Sequence, residues 1–145
     1  MSDLLDEFCL SLQEQMDRQV ERQYGPEVAE VWRNLRYFNV LESGDGEGRI
    51  TGQCEDTIEV FIKVRQGRIE EISYWTDGCV ATVVCGSVVC DMALGKPLEE
   101  AEEISGEDIL KRFPHMPPDH KHCAFLAASA LHEAIGDYYQ KARGE

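Results

Sequence analysis

With 145 residues, a formal charge of −14 and a pI near 4.6, the chain is long enough for one domain with a real core, burying roughly 68–70% of its unfolded surface. The same charge repels nucleic-acid backbones and anionic membranes, so partners are expected to carry basic patches. Acids stand where a signal peptide would be basic, and no apolar run reaches the roughly 20 residues of a membrane span. A cytoplasmic protein is therefore expected, in which six cysteines do not form a disulfide framework and metal or sulfur chemistry is the better expectation.

From Asp3 to Tyr24, Leu4, Leu5, Phe8, Leu12, Met16 and Val20 recur at three- and four-residue steps and predict an amphipathic helix packed on a core. Gly25-Pro26 breaks it, and Pro26 suits the first turn of a second helix with Val28, Val31, Trp32 and Leu35 on its apolar side. Ser43 to Gly48, rich in Gly and acid, reads as a loop before a short strand, Arg49 to Gln53. Ile58, Val60, Ile62 and Val64 alternate with Glu59, Phe61, Lys63 and Arg65 as a strand with one face on the core. Gln66-Gly67 turns it into a hairpin returning over Ile69 to Trp75.

Val80 to Cys90 contains no charge, the apolar stretch continues to Leu94, and Gly95 fits a helix C-terminus, so a helix buried on most sides is expected. Shorter helices are predicted over Pro97–Glu103 and Glu107–Arg112, then a proline-rich turn, then a last helix over Lys121–Lys141. The order predicts an α+β domain, with a small three-stranded antiparallel sheet covered by helices on one face. Residues 1–40 form its N-terminal helices and 46–142 its motif-bearing core.

No C-x-x-C, H-E-x-x-H, G-x-G-x-x-G or P-loop pattern occurs. Three cysteines fall at element ends: Cys54 just before the hairpin strand, Cys79 at the start of the buried helix, Cys123 in the first turn of the last helix. Helix N-termini favour thiolate, the form that binds soft metals and accepts sulfur, so Cys79 and Cys123 are both expected to ionise readily. Cys85 projects about 120° from Cys79 and about 140° from Cys90 at 100° per residue, so these helix cysteines are expected in the core. Cys9 is expected there as well, and His115, His120 and His132 are read as surface or capped histidines.

The segments Gly52-Gln53-Cys54-Glu55-Asp56, Thr76-Asp77-Gly78-Cys79 and His122-Cys123-Ala124-Phe125-Leu126-Ala127 resemble, in order and spacing, the IscU/NifU-type iron-sulfur cluster assembly scaffolds. Gly95-Lys96-Pro97-Leu98-Glu99-Glu100-Ala101 matches that family as well. The resemblance implies a non-enzymatic scaffold that builds a [2Fe-2S] cluster on Cys54, Cys79 and Cys123, with Asp56 and His122 completing or modulating the site. Zinc is implied in the cluster's absence. A cysteine desulfurase is the implied sulfur source, with Cys123 the candidate acceptor, a ferredoxin or other electron donor the reductant, and apo iron-sulfur proteins the recipients.

Thiolates suit iron-sulfur and zinc, while a carboxylate and an imidazole are harder, more labile ligands that suit a site built to release its cargo. Glu55 stands where the family has Gly. Met116-Pro117-Pro118-Asp119-His120 replaces the segment read by a DnaK-like chaperone and puts that partnership in doubt, and Trp32 to Asn39 replaces the usual N-terminal segment. The alternative is a zinc-dependent persulfide carrier of the SufU type. The 44-residue interval from Cys79 to Cys123 and the presence of His122 favour the scaffold.

Overall fold

In the computed structural model, which describes residues 2–41, 44–53 and 55–144, the period-two pattern of the hairpin becomes two long strands of a three-stranded sheet. The elements run α1 (Ser2–Tyr24), α2 (Pro26–Arg33), β1 (Gly46–Thr51), β2 (Thr57–Arg65), β3 (Arg68–Thr76), α3 (Val80–Ala93), α4 (Leu98–Ala101), α5 (Gly106–Leu110), a 3₁₀ turn (Pro118–His120) and α6 (His122–Ala142). The sheet is antiparallel in the order β1-β2-β3. Gln66 and Gly67, at φ 55° and 75°, give the β2–β3 connection the left-handed pair that matches strand twist. Ile58 pairs with Thr76 and Val60 with Tyr74, so one face presents Ile58, Val60 and Ile62, all fully buried.

That face is covered by α3 and α6. The helix α3 is enclosed on nearly every side along its uncharged run Val80–Cys90, with Asp91 exposed beyond it, and Cys85 and Cys90 are fully buried in the core. On the sheet's opposite face Phe61, which the alternation places outward, is 4% exposed. It shares a surface cleft with Val40 and Leu41, on the connection that reaches β1 after Phe38 has bridged to Tyr74 of β3.

Two expectations are corrected here. First, β1 begins at Gly46, within the segment read as a loop. Its Gly46 and Gly48 do not make a turn. They let the strand lie directly against α6, where a Cβ on Gly48 would meet the Ala130 carbonyl oxygen and the Ala134 amide nitrogen. Loop-like composition arises here from a close backbone approach, the other common use of glycine in a strand.

Second, α1 is helical as predicted, but only its last turn packs on the core. Val20 and Tyr24 are buried, whereas Leu4, Leu5, Phe8, Leu12 and Met16 are exposed. Cys9, expected in the core, is exposed with them. Periodicity reveals that a helix has an apolar face; it does not reveal what covers that face.

Candidate metal and sulfur site

Cys79 caps the N-terminus of α3 in extended conformation, with φ −73° and ψ 179°. The turn that delivers it is fixed from both sides. The Thr76 hydroxyl donates to the Thr57 carbonyl at 2.6 Å and accepts from the Gly78 amide at 3.0 Å, while Asp77 Oδ1 accepts from the Thr57 amide at 2.9 Å. Cys123 enters from the first turn of α6 and is fully buried. His120, closing the 3₁₀ turn after Pro117-Pro118, completes the group. The ligand atoms of Cys79, His120 and Cys123 all lie within 4.8 Å of one another.

His120 Nδ1 is 3.9 Å from Cys79 Sγ, and its Nε2 lies 3.9 Å from the Asp119 carboxylate. The ring of Tyr24 stands edge-on against it with centroids 5.4 Å apart. At the bottom of the site, Thr82 is fully buried. Its hydroxyl lies 3.2 Å from Cys123 Sγ, 3.8 Å from Cys79 Sγ and 3.2 Å from Asp56 Oδ2. With one proton to give, it serves one of these acceptors at a time.

The two thiols differ sharply. The Cys123 thiol donates to Cys79 and is the largest cause holding the Cys79 thiol well below its usual range. Partial burial opposes this, and the Thr82 and Ala81 amides and the Thr82 hydroxyl add to it. The same hydrogen bond, together with burial, pushes Cys123 far above its usual range. The free pair therefore holds one proton on Cys123 and one negative charge on Cys79. The expectation that both would ionise readily is corrected for Cys123, because two adjacent thiolates repel and the buried one keeps its proton.

This asymmetry sets a pH dependence. Alkylation of Cys79 by iodoacetamide, mapped by mass spectrometry in the metal-free protein, is expected to change little between pH 8 and pH 6, whereas an ordinary thiol slows about tenfold per unit below its pKa near 8.5. The absolute advantage at neutral pH is small, since a lower pKa also lowers intrinsic nucleophilicity. The flat profile is therefore the diagnostic. In Cys123→Ala the hydrogen bond is lost, the Cys79 pKa rises, and the decline with falling pH begins at higher pH. A wild-type profile that falls tenfold per unit from pH 8 rules out the thiolate.

Among the predicted residues, Cys79 and Cys123 come together, and Cys54 lies outside the described residues. Asp56 reaches the thiols through Thr82. His122 is exposed, with Nε2 3.8 Å from Cys123 Sγ. Glu55, at the position where the family has Gly, takes the left-handed φ of 66° that glycine adopts without cost.

His120, read from sequence as a surface or capped histidine, is corrected to a member of the thiol group, and Thr82 was not singled out; both stand three residues from a cysteine, His120 before Cys123 and Thr82 after Cys79. That spacing puts side chains on one face, whereas adjacent residues such as His122 and Cys123 diverge by about 100°. His115 and His132 are as expected: His115 Nδ1 lies 3.0 Å from Glu27, and His132 Nε2 donates to the Ile104 carbonyl at 2.8 Å.

A three-stranded sheet under two long helices, with the thiols of Cys79 and Cys123 converging beside His120 from the start of each helix, defines a small α+β protein with a group of side chains that could hold a metal ion. Residues 23–144 match the NifU-like N-terminal domain family, and the chain belongs to it. Its relatives include the iron-sulfur cluster assembly scaffold proteins IscU 1 and IscU 2 of Archaeoglobus fulgidus, each 36% identical over 119 residues, which cover 81% of this chain and 78% of the relative. IscU of Escherichia coli K12 is 32% identical over 123 residues, with 81% and 95% covered.

The crystal structure of a NifU-like N-terminal protein from Brucella abortus superposes with a TM-score of 0.69 at 17% identity, covering 84% of this chain and 98% of that one. The crystal structure of a protein from Fervidobacterium islandicum, described as a putative iron-sulfur cluster assembly scaffold for the SUF system, gives 0.66 at 14% identity, covering 79% and 98%. At these identities the two structures establish the fold. Among the described residues, no helix is long and apolar enough to cross a membrane.

Proposed function

We propose that this protein is a scaffold on which an iron-sulfur cluster is assembled and from which it is transferred, held by Cys79 and Cys123 together with Cys54. The observation that carries this is the convergence of Cys79, His120 and Cys123 within 4.8 Å at the ends of separate elements, with Cys79 exposed and Cys123 buried. Thiolates suit iron and sulfide, and an exposed sulfur gives partners access to them.

Sulfur arrives by attack of a thiolate on the outer sulfur of a persulfide carried by a cysteine desulfurase. A new S–S bond forms, the donor's S–S bond breaks, and the donor cysteine leaves as thiolate. Exposure and charge favour Cys79 as the first acceptor over Cys123, the acceptor implied by sequence resemblance. Converting that sulfur to sulfide takes two electrons, the role of a ferredoxin or other electron donor. Apo iron-sulfur proteins then take the cluster.

Asp56 acts from behind Thr82, where its carboxylate can exchange onto a metal when the hydroxyl turns to Cys123, a harder ligand that keeps the cluster transferable. A zinc-dependent carrier of the SufU type remains the second reading, because two cysteines and a histidine also suit zinc.

Anaerobic reconstitution with ferrous iron and sulfide, followed by visible absorption and metal analysis, tests the proposal. The scaffold reading expects iron and sulfide in equal amounts with charge-transfer bands in the visible. Zinc retained against excess iron, with no such bands, sinks it in favour of the carrier. Of the two nearby histidines, His120 is the nitrogen ligand the geometry favours. His120→Ala is expected to shorten the cluster's lifetime by about 10-fold or more, on the scale of lost ligand support, and His122→Ala to have the smaller effect. The reverse order would return the ligand role to His122.

A further inference from the structure

The helix α1 carries an apolar face that the rest of the described residues leave uncovered. Leu5 is 64% exposed, Phe8 60%, Leu12 44% and Met16 55%, and at 100° per residue all four fall, with Cys9, within an arc of about 100°. They stand at the i, i+3, i+7, i+11 spacing with which a helix seats in a groove. The shared family domain begins at residue 23, so this whole stripe is an addition to it. Contiguous exposed apolar surface of this kind marks an interaction site.

Two features say what covers it. The first is charge: α1 carries Asp3, Asp6, Glu7, Glu14, Asp17 and Glu21 against Arg18 and Arg22, and Arg18 already pairs with Glu14 at 3.6 Å. A second copy would bring like charge on a chain of net −14, whereas an apolar groove rimmed by Lys and Arg complements both stripe and flanks. The second is position. The buried end of α1 is Tyr24, whose ring rests on His120, which in turn faces Cys79. From there the stripe runs outward over roughly 30 Å of helix, so a protein seated on it is held beside the exposed Cys79 sulfur.

We propose that α1 is a docking helix for the protein that delivers sulfur to Cys79, seated through Leu5, Phe8, Leu12 and Met16 in a basic-rimmed apolar groove of that partner. This rests on the scaffold reading above. A fixed pattern of side chains selects one groove, which fits a single constant donor better than recipients of varied surface.

The test uses the full chain and the cysteine desulfurase of the same organism. Phe8→Glu/Leu12→Glu, and independently Leu5→Glu/Met16→Glu, alter exposed side chains outside the site, and circular dichroism verifies each fold. Calorimetry is expected to show desulfurase affinity reduced by about 30-fold or more in each, on the scale of apolar anchors, and wild-type affinity falling between 100 and 500 mM salt. Reconstitution with iron and sulfide, which needs no donor, should match the wild type.

Unchanged affinity in both variants overturns the docking role, as does a wild type that reconstitutes but does not bind the desulfurase. So does wild-type dimerisation by sedimentation that the variants abolish, which would give the stripe to a second copy, or wild-type binding to phosphatidylcholine vesicles lost in the variants. A wild type that fails to reconstitute counts against the scaffold reading itself.

Discussion

Cys79→Ser and Cys123→Ser are each expected to abolish stable cluster binding after anaerobic reconstitution, and Cys54→Ser likewise, while Cys85→Ala retains it. The reason is the arrangement of the sulfurs. Cys79 and Cys123 meet at the surface end of α3 and α6, within 4.8 Å and beside His120. Cys85 and Cys90 are fully buried among core side chains, and burial holds both thiols far above their usual range. A serine hydroxyl does not ionise in the accessible range and is a harder donor, so it fails iron-sulfide even where its size fits.

Removing the Cys85 sulfur leaves a small cavity and costs about 1 kcal/mol, on the scale of deleting a buried methyl-sized group. Absorption per chain and acid-labile sulfide quantify the outcome. A cluster that survives in Cys79→Ser, or that vanishes in a folded Cys85→Ala, would remove the assignment.

Gly48→Val should be the most damaging single change to the fold. A Cβ there collides with backbone atoms of α6, the Ala130 carbonyl and the Ala134 amide, and with Glu133 Cβ. Backbone cannot rotate away as a side-chain tip can, so α6 must move off β1. The cost is expected at about 3 kcal/mol or more, at or beyond the upper end for overpacking, against a total stability on the order of 5–15 kcal/mol.

Because α6 also carries Cys123, its displacement should loosen the thiol pair before the protein unfolds. Urea denaturation and cluster retention on the same samples follow both effects. Gly136→Ala is the control: it lies mid-helix in α6 with no atom within 4 Å of the added Cβ and should gain about 0.5–1 kcal/mol. A Gly48→Val protein with the stability of the wild type would show that β1 and α6 are not in the contact described.

The sequence by itself determined much of this protein, wherever the controlling physics is local. Alternation at Ile58, Val60 and Ile62 specifies a strand face, because successive strand residues point to opposite sides. Gln66-Gly67 specifies the hairpin, and the uncharged run after Cys79 specifies a helix that must be enclosed. Facing angles alone separated Cys85 from Cys79 and from Cys90, and Cys85 and Cys90 both lie in the core.

Only the tertiary structure decided matters that depend on partners distant in the chain. Gly46 and Gly48 read as a loop until α6 is seen lying on them. The stripe of α1 reads as core until its side chains are seen exposed among the described residues. The proton on Cys123 follows from its distance to Cys79, 44 residues away. His120 and Thr82 join the site because a 3₁₀ turn and the first turn of α3 bring them to the same two sulfurs. Local pattern fixes which way a side chain points along its own element, and the packing of elements fixes what it meets there.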